Sequence, residues 1–66
     1  MTIDKFKFEV TLADSGLSMK DLAERAGVSR QRISTMLNQR NVTPRTAGKI
    51  ARALGVDVLE IIEVEK

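Results

Sequence analysis

At 66 residues, with no Cys and no His, the chain is expected to form one small domain, residues 1–66. It has no disulfide and lacks the commonest transition-metal ligands. The same absences remove the usual general base and thiolate nucleophile, and no phosphate-cradling Gly loop or convergent carboxylate pair replaces them; neither an enzyme nor a cofactor is expected. The net charge is only +2, the opening MTIDKFKFEV lacks the apolar stretch of a secretory signal, and no apolar run nears the ~18 residues that cross a bilayer. A cytoplasmic protein without a membrane partner is the expectation. Phe6 and Phe8 are the sole aromatics, which argues against base stacking on aromatic platforms, the usual mode of single-strand binders.

The first segment fits two patterns. Phe6, Phe8, Val10 and Leu12 alternate with Lys7, Glu9 and Thr11 as in a strand, but Phe8 to Leu12 also has helical spacing, with a stop at Ser15-Gly16. Nothing else in the chain reads as sheet, so a helix from about Ile3 to Ser15 is expected. Next, Ser18 stands three residues before Asp21, a capping-box spacing, and the helix it opens runs through LAERA to Gly27. Ser29 restarts the chain as the cap of RQRISTMLN, in which Ile33, Met36 and Leu37 mark one buried face. Thr43-Pro44 opens a fourth helix, with Pro in the first turn where its missing N–H costs nothing, and Ala47, Ile50, Ala51 and Leu54 turned inward before Gly55. Gly48 inside that helix costs about 1 kcal/mol relative to Ala, and close helix packing is expected to compensate. Asp57 and Glu60 repeat the capping-box spacing and predict a short last helix through Val58, Leu59, Ile61 and Ile62. The sum is an all-α bundle of about five short helices.

Charge is unevenly placed along these elements. From Arg25 to Arg52 the chain carries Arg30, Arg32, Arg40, Arg45 and Lys49 as well, and no acid at all. The final stretch reverses this with Asp57, Glu60, Glu63 and Glu65 against Lys66. An acid-free basic middle bounded by acidic segments points to a surface that faces a polyanion.

The spacing from Leu22 to Met36 is the most specific pattern. Ala23 lets two helices cross closely, Gly27 permits the sharp turn, Val28 plugs the gap beneath it, and Leu22, Ala26, Ile33 and Met36 supply the interior. Arg30, Gln31, Ser34 and Thr35 then occupy the outer face of the second helix. Their chemistry suits base edges: Arg reads guanine, Gln reads adenine, and Thr touches a thymine methyl. Arg25 and Arg52 read as solvated helix-face charges.

GLSMKDLAERAGVSRQRISTML resembles the helix-turn-helix of the Cro and lambda-repressor-like (XRE-type) family, and PRTAGKIARALGVDVLEII is similar to that family's fourth and fifth helices. The resemblance covers roughly residues 16 to 62, with the motif near residues 19 to 38. It implies double-stranded DNA as the partner and a transcriptional regulator of repressor type, with Ser29 to Asn38 in the major groove. It also implies base reading by Arg30, Gln31 and Thr35, with Ser34 beside them. Phosphate contacts are implied for Arg32 and Asn38, for Arg40 in the following loop, and for Thr43, Arg45 and Thr46 at the next helix start. Met19 stands where the family often has Gln, so Ser18, Lys20 or the helix N-terminus takes over that positioning. Asn38-Gln39 replaces the common acid-Gly after the recognition helix. One recognition helix reads few base pairs, so a weak homodimer, formed mainly on DNA, is expected; its candidate surface is Val58, Leu59 and Ile62, with Val64 adding apolar area. Two other readings stay open: an antitoxin-like or other protein-interaction module on the same fold, and a LacI-type headpiece, which VSRQRISTMLNQRNVTPRT also resembles.

Overall fold

Short polar side chains start every helix of the computed structural model, which describes residues 1–63. Asp4 caps α1 (Lys5–Ser15), its carboxylate accepting from the Lys7 amide at 3.0 Å. Ser18 caps α2 (Met19–Ala26), Ser29 caps α3 (Arg30–Gln39), and Thr43 caps α4 (Pro44–Leu54) with Pro in its first turn. Each of these hydroxyls accepts from the amide three residues on, at 3.0–3.2 Å, satisfying a donor that the helix leaves unpaired. The expected all-helical bundle is therefore present, as four α-helices and a terminal turn.

The interior is one cluster drawn from all of these elements. Ile3 and Phe8 enter from the N-terminal side, Leu22, Ala23 and Ala26 from α2, Ile33 and Met36 from α3, and Val42 from the loop between α3 and α4. Helix α4 contributes most, with Ala47, Ile50, Ala51 and Leu54, and packs against α1, α2 and the terminal turn. Helix α3 is held mainly by α2.

Three expectations about elements are corrected. First, α1 begins at Lys5, not Ile3. Thr2 and Ile3 are extended and form isolated antiparallel bridges with Asn41 and Ile62. The Ile3 amide donates to Arg40 O at 3.2 Å and the Asp4 amide to Ile61 O at 2.9 Å; the amides of Val42 and Glu63 return bonds to Met1 O and Thr2 O at 3.0 and 2.8 Å. Ile3 is fully buried between these partners.

Second, the last helix is a single 3-10 turn, Val58–Glu60. Asp57 accepts from the Leu59 amide at 2.9 Å, two residues on, which is an Asx turn and not the expected capping box. Ile61 and Ile62 are consecutive and both buried, and Ile62 pairs with Ile3. A continued helix would rotate one of them towards solvent and break that bridge.

Third, Gly48 has no close packing. A Cβ built there meets nothing within 4 Å, and the residue is not in the left-handed region. The structure gives no packing reason for a glycine at this position.

Candidate nucleic-acid interface

Helices α2 and α3 are joined by Gly27, Val28 and Ser29. Gly27 sits at φ 73°, ψ 28°, a left-handed conformation that a Cβ opposes, and its amide and that of Val28 both donate to Ala23 O at 3.0 and 3.1 Å. This turn sets the two helices against each other. Leu22, Ala23 and Ala26 from one and Ile33 and Met36 from the other are buried, and Val28 and Leu37 pack partly against them.

With Ile33 and Met36 held inside, the rest of α3 is fixed in phase. Arg30, Gln31, Arg32, Ser34, Thr35 and Asn38 are all exposed. The Thr35 hydroxyl donates to Gln31 O at 2.9 Å within the helix, which spends its proton and leaves the methyl group and the oxygen lone pairs for an outside contact. Ser29 accepts from the Arg32 amide, so one lone pair of its hydroxyl serves the cap. A depression of about 240 Å³ lies between the C-terminal half of α3 and the start of α4. Arg32 and Thr35 reach it from α3, and Thr43 and Thr46 from α4. Sequence-predicted residues from two elements thus meet in one concavity.

The same depression is lined by Gln39 and Asn41, which the sequence reading did not include. Gln39 had a usable signal: it falls four residues after Thr35 and seven after Arg32, on one stripe of the helix. Asn41 had none, because its position depends on the bridge to Thr2.

Ser18 and Lys20 are exposed at the start of α2. Here the expected capping box is complete: the Ser18 hydroxyl accepts from the Asp21 amide at 3.1 Å, and the Asp21 carboxylate accepts from the Ser18 amide at 3.3 Å. That bond from the Ser18 backbone holds the Asp21 carboxyl below its ordinary pKa, aided by the Ser18 side chain and the charges of Arg25 and Lys20. Arg45 is exposed in the first turn of α4.

Arg40 departs from the pattern of the other helix ends. The other three α-helices stop on a glycine, whereas α3 stops on Arg40, which sits at φ 56°, ψ 27° as the one non-glycine residue with positive φ among those described. Its guanidinium pairs with Glu63, the single salt bridge among the described residues, and both side chains are partly exposed. Two candidates are not on the surface. Thr46 is 8% exposed, its hydroxyl bonded to that of Thr43 at 3.0 Å, so only its edge reaches the depression. Ile62 is 6% exposed because it bridges to Ile3 in the core, which leaves Leu59, 55% exposed, and the half-buried Val58 from the candidate dimer surface. Val64 lies outside the described residues.

The turn, the buried inner face and the polar outer row coincide with a family signature. A family described as helix-turn-helix matches residues 12–61. The chain belongs to the helix-turn-helix family, in its XRE or lambda-repressor-like form. The match takes in α2, α3, α4 and the terminal turn, and begins inside α1. No curated protein and no solved structure matches the chain significantly. Membership makes it a DNA-binding type of domain, and none of its described helices is long and apolar enough to cross a membrane.

Proposed function

We propose that the chain is a sequence-specific double-stranded DNA-binding protein, a cytoplasmic transcriptional regulator of repressor type that acts as one domain and without a cofactor or catalytic step. The observation that carries this is the outer row of α3, where Arg30, Gln31, Ser34 and Thr35 are all exposed while Ile33 and Met36 beneath them are buried. A row of that chemistry on a rigidly seated helix is what a major groove accepts.

In this reading Arg30 and Gln31 hydrogen-bond base edges and Thr35 offers its methyl group to thymine. Ser18 and Lys20 at the start of α2, Arg32 and Asn38 on α3, and Arg40, Thr43 and Arg45 beyond it meet phosphates. Selection of bound sequences from a random duplex pool yields a defined site. On that site Arg30→Ala or Gln31→Ala costs ~1–3 kcal/mol and relaxes the preference at one base position. Equal weakening on the selected and on random duplexes would remove both residues from base reading.

A further inference from the structure

Helix α1 is apolar on two sides. Phe8 and Leu12, four residues apart, face the core. Phe6, Val10 and Ala13 recur at the same helical spacing on the roughly opposite side, and all three are exposed, Phe6 by 75% and Val10 by 51%. Leu59, also exposed, is in the terminal turn that packs on α1, and its neighbour Glu60 lines a shallow groove with Phe6, Lys7, Val10 and Thr11. A helix with apolar stripes on both sides is one that something else covers.

The charges of α1 indicate what covers it. Apart from the cap Asp4, the first turn carries Lys5 and Lys7 and the last turn Asp14, the reverse of what the helix dipole favours. Lys7 and Asp14 are seven residues apart on one flank of the outer stripe, so they do not pair within their own helix. The Lys7 amine is 3.5 Å from Ile62 O, a contact that leaves protons for other acceptors. We infer that the outer face of α1 binds a second copy of this chain, with the two α1 helices antiparallel about a two-fold axis near Val10. In that arrangement each Lys7 meets Asp14 of the second copy, each Phe6 lies over Ala13 of the second copy, and the two dipoles oppose. A parallel pair would place the two Lys7 side chains on opposite sides of the seam, away from Asp14 of the second copy, and would align the two dipoles. The outer stripe spans only about 10 Å of helix, well short of the ~800 Å² per partner of a stable interface, so the dimer is weak in solution.

The test uses the full chain without DNA, so its outcome is independent of base reading. Sedimentation equilibrium shows a mass that rises from one chain towards two with concentration, and Val10→Glu holds it at one while the circular dichroism stays unchanged. Lys7→Glu and Asp14→Lys each weaken association about tenfold, and the double reversal restores it. Because the chain has no Cys, Val10→Cys provides a clean reporter on the axis: it oxidises to a covalent dimer much faster than Glu24→Cys on the exposed side of α2. A wild-type chain that stays monomeric to millimolar concentration would overturn the proposal, as would a double reversal no better than either single one, or equal oxidation of the two cysteine variants.

Discussion

Replacing Arg40 by Gly and by Ala separates what its backbone costs from what its side chain does. Arg40 closes α3 in the left-handed conformation, where an L residue with a Cβ is disfavoured by ~1–2 kcal/mol. Gly escapes that penalty but loses ~0.5–1 kcal/mol more chain entropy than Ala on folding. Both variants lose the pair with Glu63, which is partly exposed and contributes ~0–1 kcal/mol, and both keep the backbone bond from the Ile3 amide to the carbonyl of residue 40. The difference between them is therefore centred on ~0.75 kcal/mol in favour of Gly, or about 3–6 °C in a thermal melt of a domain this size. Arg40→Gly should melt close to the wild type and Arg40→Ala below it, an inversion of the usual helix preference. In DNA titrations across a salt series, both variants should lose affinity on all sequences and show a log–log slope shallower by ~0.9, one phosphate contact. An Ala variant as stable as the Gly variant would refute the backbone argument. An unchanged slope would refute the contact.

Glu63→Gln should bind DNA about two- to fivefold more tightly in a direct titration, because Arg40 no longer has to leave an anionic partner to reach a phosphate. Gly48→Ala should raise stability by ~0.4–1 kcal/mol in urea unfolding with DNA affinity unchanged, since the added methyl meets open space in a helical backbone. Asp21→Asn should melt below the wild type at neutral pH. The Asp21 carboxyl is held below its ordinary pKa when folded, so its contribution is complete above the ordinary carboxylate range and is lost as the pH falls through the depressed value. The gap between the two melting curves therefore closes in acid; a gap of constant size would show that the charge is not what matters.

Local chemistry was legible in the sequence wherever one short side chain decides an outcome. Ser18, Ser29 and Thr43 announce helix starts because a side-chain oxygen at that spacing satisfies an orphan amide wherever the helix is placed, and each does so here. The phase of α3 was legible too, because Ile33 and Met36 have no other place to go. What escaped was set by distant partners. Asp57 and Glu60 carry the same letters as a capping box, yet the burial of Ile61 and Ile62 against the N-terminal segment decides the turn. Arg40 gave no sign of its left-handed backbone, since only a glycine would have marked it. Phe6 and Val10 blurred the reading of α1 because they interleave an outer apolar stripe with the inner one of Phe8 and Leu12, an arrangement that imitates strand alternation.

The four bonds that tie the first residues to the α3–α4 loop and to the segment after the terminal turn join three stretches of chain far apart in sequence. No one of the three is protected by a helix of its own. The amides of Ile3, Asp4, Val42 and Glu63 should therefore exchange their protons with solvent as one cooperative unit, a disturbance at any member being felt by all. That unit includes the carbonyl of Arg40 and the backbone of Asn41, at the rim of the depression beside α3. Looseness introduced at the first few residues thus has a direct backbone route to the proposed DNA face, through the bonds to Arg40 and Val42.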